Sequence, residues 1–165
     1  MHSVRIAICC LLLALYLSGC SSHNEDGSIS DRFNQQINQY IQNRIDSSKP
    51  IELKKEFGAD LQGVKIIGLN LDGANLLGLN LRNAQIINSS FIGADFANSN
   101  LEGAILQGCD FTNAKFINID GSRTSFDRSI IDGTVINKAI FKKSVFSNVS
   151  FQNATVENSD FSYVD

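Results

Sequence analysis

ADFAN SNLEG AILQG CDFTN AKFIN, residues 94–118, decides the fold. Cut into fives, each block opens on a small residue, or on Cys109, and centres on Phe or Leu. Each closes on Asn or Gly. The frame extends in both directions. Stepping by five from Leu61 to Phe161 gives 21 central positions, and 20 of them are large and apolar; Gly121 is the exception. Two residues before the centre the side chain is usually small, as at Ala59, Ala74, Ala84, Ala94, Ala104, Ala114, Ala139 and Ala154. Two residues after it, Gly or Asn occupies 16 of the 21 units. A period of five fits neither the 3.6 of a helix nor the 2 of a flat strand.

Ala74-Asn75-Leu76, Ala94-Asp95-Phe96 and Ser99-Asn100-Leu101 resemble the unit of the pentapeptide repeat family, Ala-Asp/Asn-Leu-x-x. The resemblance covers residues 59–165. It implies an all-β fold, a right-handed quadrilateral parallel β-helix with four units per turn and about five turns. The residues suit that fold physically. Large and small inward side chains must alternate to fill a square interior. Corners need unusual backbone angles, which Gly and Asn tolerate. Twenty residues per turn should stack Phe91 under Phe111, Phe96 under Phe116, Phe126 under Phe146 and Phe141 under Phe161. At about 4.8 Å per turn, the rod should be roughly 25 Å long.

The chain of 165 residues carries a formal charge of −3, with 43% hydrophobic residues, 11 Phe, 17 Asn, 12 Gly and one Pro. The charge excludes a strongly basic nucleic-acid binder, so no nucleic acid is expected as a partner. Nine of the Phe are rungs of the ladder. The near absence of Pro suits a backbone whose N–H groups are needed for pairing between turns.

The N-terminus reads as an address. Arg5 precedes an apolar run over residues 6–17, roughly 18 Å as a helix and too short for a ~30 Å bilayer core. Leu17-Ser18-Gly19-Cys20 resembles the bacterial lipobox, in which the cysteine becomes the lipid-modified first residue of the mature chain. The resemblance implies a signal peptide over residues 1–19 and a palmitate-type acyl anchor on Cys20. A plain signal peptide or an uncleaved anchor is the competing reading. Ser21 rather than Asp at the second mature position resembles an outer-membrane sorting signal. A Gram-negative source would then hold the chain on its outer membrane, facing the periplasm or the surface. Cys9 and Cys10 leave with the signal, so Cys109 is the one free thiol and no intramolecular disulfide is available.

Residues 20–29 read as the lipidated cysteine and a flexible tether. Residues 30–58 read as an N-terminal helix and cap. Ser28 or Ser30 suits the helix start. Phe33, Ile37, Tyr40, Ile41 and Ile45 share one face, and the helix should stop before Ser47. Residues 51–58 fit either a short helical turn or an irregular coil. The helix is expected to cover the open first turn, where a β-helix exposes its core and an unpaired edge.

Three departures from the repeat are candidates for function. Gly121 leaves a hole between Leu101 and Phe141, to be closed by a local bulge around Asp120-Gly121-Ser122 with neighbours filling the gap, or kept as a small ligand cavity. Ile130, Val135, Ile140 and Val145 occupy the outward slot before the central residue, one per face, where Asp, Asn, Ser or Lys otherwise dominate. Arg123, Arg128, Lys138 and Lys143 replace Gly or Asn at corners, with Lys142 beside them. This belt reads either as the site of a protein partner or acidic envelope polymer, or as ordinary surface variation. A second outward apolar group comprises Ile67, Ile87, Leu77, Ile92 and Ile117. The last turn, with Phe161, Tyr163 and Val164, should either pair with a second copy or be closed by Tyr163 and Val164 folding over it.

Catalytic chemistry is not expected. The repeat contains no His, which excludes Ser-His-Asp and Cys-His sets there, and no zinc spacing is present. Glycines recurring every five residues are corners, not a phosphate loop. Cys109 sits in a small inward slot and should be inert. Asp60, Asp120 and Asp160 share a column, with alternate turns about 10 Å apart, too far for a retaining carboxylate pair. No cofactor is called for. The reading is a membrane-anchored, non-catalytic scaffold or protein-binding module in the bacterial envelope. Its partners are the bilayer through Cys20, an unknown protein and a second copy. Two alternatives remain open. Some members of the family mimic DNA and inhibit DNA gyrase, but residues 59–165 carry only 11 acidic against 8 basic residues and follow an export signal. A surface or secreted effector that touches a host fits the same residues as the scaffold.

Overall fold

In the computed structural model, which describes residues 31–44 and 50–165, the five-residue units coil into a parallel β-solenoid of about five turns. The central residue of each unit points inward with the small residue two before it. Leu61, Leu71, Phe91, Phe96, Phe111, Phe116 and Phe126 have no exposed surface, and Ala74, Ala84, Ala94, Ala104 and Ala114 are equally buried. Residues twenty apart lie in register. Successive turns are joined from both sides of each rung: the Leu61 N–H donates to the Asn80 carbonyl at 2.9 Å, and the Asn80 N–H donates to the Ala59 carbonyl at 2.7 Å. Within a turn-forming unit, a tight bond closes the corner, as where the Val64 N–H donates to the Leu61 carbonyl at 3.1 Å.

Every corner residue from Gly63 to Tyr163 has positive φ, between 50° and 75°. This backbone requirement explains the Gly and Asn at the unit's end. Phe rings stack twenty residues apart, with centroids at 5.3 Å for Phe91 and Phe111 and 4.9 Å for Phe126 and Phe146. Phe96 and Phe116 lie at 5.2 Å, and Phe141 and Phe161 at 5.1 Å.

Among the described residues, regular strands form on two faces. β1 (Lys65–Ile67), β2 (Gln85–Ile87) and β3 (Ile105–Gln107) make one parallel sheet. β4 (Lys115–Ile117), β5 (Val135–Asn137) and β6 (Thr155–Glu157) make a second, two units further round the square. The outward residue favours one form over the other without dictating it. The six strands begin on Lys65, Gln85, Ile105, Lys115, Val135 and Thr155, none of them Asp, Asn or Ser. Where it is Asp or Asn, a turn forms, because the side chain accepts a hydrogen bond from the N–H two residues on. Asn70 caps Asp72 at 2.8 Å, Asp95 caps Ala97 at 2.9 Å and Asp110 caps Thr112 at 2.9 Å.

α1 (Asp31–Gln42) lies over the first turn. Its Ile37 and Ile41 are fully buried, and Phe33 and Tyr40 meet Phe57 edge-on at 5.6 and 5.4 Å. Buried Asn34 accepts the Lys65 N–H at 2.8 Å, so the cap satisfies one backbone donor of the solenoid's first turn. Residues 51–58 supply a helical turn, α2 (Leu53–Phe57), preceded by a further rung: the Asn75 N–H donates to the Ile51 carbonyl at 2.9 Å. The candidate capping serines, Ile45 and everything before residue 31 lie outside the described residues. No helix among the described residues is long and apolar enough to cross a membrane.

Candidate functional site

The hole expected at Gly121 is filled by a neighbour, as the first expectation has it, but without a bulge and without a ligand cavity. The ladder passes through it in register: the Leu101 N–H donates to the Asp120 carbonyl, and the Gly121 N–H to the Ile140 carbonyl. The ring of Phe141 from the next turn fills the space. A Cβ on Gly121 would lie 2.5 Å from Phe141 Cε1. The Gly121 carbonyl accepts the buried hydroxyls of Thr124 at 2.6 Å and Ser144 at 2.7 Å, so the site is also satisfied in polar terms.

Cys109 is buried in its small slot, with its sulfur 3.4 Å from the carbonyls of Ile86 and Gln107. Burial pushes its thiol up to about 11. The thiolate, which is the nucleophile, is therefore scarce at neutral pH. A thiol reagent at pH 8 should leave the native chain's Cys109 unmodified for hours and react within minutes once denaturant is added. Rapid modification without denaturant would contradict the buried placement. Among the described residues no group of His, Cys, Asp and Glu could hold a metal ion.

The belt is exposed. Ile130, Val135 and Ile140 each show about two fifths of their surface (41%, 40% and 42%), and Val145 is half-buried. They lie on the four faces of one turn. Arg123, Arg128, Lys138 and Lys143 occupy the exposed corners around them, all with left-handed backbone, φ 54° to 60°. Three of the five cations are paired: Arg123 with Glu102, which also binds Arg82; Arg128 with Asp127 at 3.4 Å; and Lys142 with Asp160 at 3.1 Å. The Ser162 hydroxyl and N–H, together with Lys142, hold the Asp160 carboxyl down to about 2. Of the second apolar group, Ile67, Leu77 and Ile92 are exposed on three different faces. α1 does not cover them; it sits on the end of the rod.

At the other end no described residue covers the last turn. Phe151 and Val156, which would be buried one turn earlier, are 37% and 48% exposed. Phe161 is half-buried against Phe141 and Phe146. Tyr163 points into solvent at 82% exposure and does not fold over the core; Val164 is also exposed. The Asp165 N–H instead donates down to the Ser144 carbonyl at 3.0 Å, prolonging the ladder.

A stack of twenty-residue turns, each made of four five-residue units, Phe-filled and covered at one end by a helix, defines a repeat protein. The chain belongs to the pentapeptide repeat family: the family model described as pentapeptide repeats matches residues 57–91, 80–118 and 104–142, in eight copies. Members of this family are in general non-catalytic structural or binding proteins. Among solved structures, the chain is similar to a pentapeptide repeat protein (Rfr23) from the cyanobacterium Cyanothece 51142. The two share 14% identity over 68% of this chain and 91% of that one, with a TM-score of 0.53. A pentapeptide repeat protein from the thylakoid lumen of Arabidopsis thaliana shares 24% identity over 64% of this chain and 67% of that one, TM-score 0.41. QnrB1, a plasmid-mediated fluoroquinolone resistance protein, shares 23% over 61% and 57%, TM-score 0.32. These likenesses are of fold alone. No curated protein matches the chain.

Proposed function

We propose that this chain is a membrane-anchored, non-catalytic scaffold or protein-binding rod of the bacterial cell envelope. The observation that carries this reading is Leu17-Ser18-Gly19-Cys20 at the end of a short apolar run, followed by a repeat whose inward positions serve packing. In this reading the bilayer holds the chain through acylated Cys20, because each buried methylene of an acyl chain contributes about 0.8 kcal/mol. In a Gram-negative cell the anchor sits in the outer membrane, with the rod in the periplasm or at the surface. The helix-capped end is then the membrane-proximal one and the uncovered last turn faces away. That turn, with Phe161, Tyr163 and Val164 beside exposed Phe151 and Val156, pairs with a second copy. Its support is the apolar surface that Phe151, Val156 and Val164 expose together.

The test is metabolic labelling with a palmitate analogue in cells expressing the full chain or its Cys20→Ala variant, followed by fractionation. The label should appear in the membrane fraction for the wild type and vanish in the variant. A soluble, unlabelled cytoplasmic product from the wild type would overturn the anchoring and restore the gyrase-inhibitor alternative.

A further inference from the structure

The turn spanning residues 123–145 is built against its own local preferences. Outside it, turn-forming units cap the N–H two residues beyond the outward slot with a carboxylate or amide oxygen. Ser90 and Ser150 achieve the same by borrowing Asp72 and Asp132, whose oxygens accept from the N–H groups of Ile92 and Gln152, each at 2.9 Å. Among the described residues, only the turn-forming units of Ser125, Ile130, Ile140 and Val145 lack such an acceptor. The last three are β-branched residues that favour the strand form. They nevertheless sit in the turn form. The same stretch holds four of the five corner residues that are neither Gly nor Asn. Backbone strain and forfeited caps concentrated in one turn point to a function that outweighs them.

Charge is concentrated there too. Residues 122–146 carry five cations and two carboxylates, net +3, while the remainder of residues 59–165 is net −6. On the face bearing Gly121, the rung Lys138-Ala139-Ile140-Phe141-Lys142-Lys143 turns Ile140 outward between Lys138 and the Lys142–Lys143 pair, with Arg123 stacked below Lys143. Other rungs of that face present Asp60, Asn80, Asn100, Asp120 or Asp160 at the position of Ile140. Lys138 and Lys143 make no ion pair among the described residues.

We infer that this rung is a docking site for an acidic protein segment, one with an apolar residue flanked on each side by carboxylates. The inference rests on the reading of the chain as a binding module and names its partner's chemistry. Lys138 and Lys143 stand at the two corners that bound this rung, and Ile140 lies between them. An extended segment of the form Glu-x-Leu-x-Glu likewise places one apolar side chain between two carboxylates, the complement of this arrangement. A polyanion fits less well. Three of the five cations are already paired with the chain's own carboxylates, and polyelectrolyte binding needs many free cations releasing counterions. It would also leave Ile140 without an apolar partner.

The experiment uses the full-length chain in detergent and immobilised decapeptides with a Glu-x-Leu-x-Glu core. Controls replace Glu by Lys, or Leu by Ser, and dextran sulfate serves as competitor. The wild type should prefer the acidic–apolar peptide at least tenfold over either control, and dextran sulfate should not displace it at equal charge. The triple variant Lys138→Asn, Ile140→Asn, Lys143→Asn relieves the corners and restores a cap. It should lose the tenfold preference while its Tm rises by about 5 °C. Equal binding of the Leu and Ser peptides, displacement by dextran sulfate, or retained preference in the triple variant would each overturn the proposal. A triple variant whose Tm falls would remove the strain argument and overturn it as well. An unacylated mature chain would refute the anchoring and leave the peptide result unaffected, so the two failures are distinguishable.

Discussion

Phe111→Asp abolishes folding. Phe111 is fully buried in the middle turn and packs on four rings, with centroids 5.3 Å to Phe91, 5.8 Å to Phe96, 5.4 Å to Phe116 and 5.7 Å to Phe126. Emptying such a site costs about 3–5 kcal/mol from lost transfer and the cavity left behind. A carboxyl placed among rings with no partner adds several kcal/mol more, whether it stays charged or is forced neutral. The sum approaches the whole stability of an ordinary domain, about 5–15 kcal/mol. In a solenoid each turn contacts only its neighbours, so a broken middle turn also uncouples the two halves. Circular dichroism and solubility check this. Phe111→Leu, which keeps the site apolar, should remain folded with a lower Tm. A soluble, cooperatively melting Phe111→Asp chain would contradict the packing described above.

Gly121→Leu is the second large effect, and it operates in the opposite direction, by overfilling. The Cβ alone meets Phe141 at 2.5 Å and the Ile140 carbonyl at 3.5 Å. The ring is wedged among Phe116, Phe126, Phe146 and Phe161 and has no free direction of retreat. Overpacking of this kind costs about 1–3 kcal/mol and more where the neighbours are rigid. Phe141→Ala alone should cost about 3–5 kcal/mol by leaving a cavity. Combined, the two changes compensate in volume, so the double variant should be more stable than the sum of the single effects by at least 1 kcal/mol or so. Denaturant melts of the four chains measure the coupling. Strict additivity would show that Phe141 does not fill the Gly121 space.

The ladder was legible because its period and chemistry are both enforced by sterics. An inward slot must be large and apolar, a corner must tolerate positive φ, and both requirements recur every five residues. The stacking of Phe91 with Phe111 follows from counting. Gly121 was legible as an anomaly that neighbours would fill, but which neighbour was not: that depends on rotamer freedom in three dimensions. The alternation between strand and turn units was visible in principle, since Asp and Asn carry the capping oxygen and Lys65 or Val135 does not. Its violation at Ile130 and Ile140 emerges only from the backbone they adopt. The belt stood out in sequence as apolar residues in a polar slot. That Lys138 and Lys143 hold left-handed backbone without an ion pair required coordinates. The cap was legible as an amphipathic helix, while the Asn34 side chain bonded to the Lys65 N–H had no sequence signal, because a lone Asn on a helix looks like any solvent-facing amide.

The reading of this pentapeptide repeat chain as an envelope rod depends above all on what happens at Cys20. The direct measurement is the intact mass of the chain purified from the membranes of a bacterial host. The account predicts a polypeptide that begins at Cys20, lacks residues 1–19 and carries additional mass from acyl groups on that residue. A chain that retains Met1, or one cleaved elsewhere without acyl groups, would contradict it.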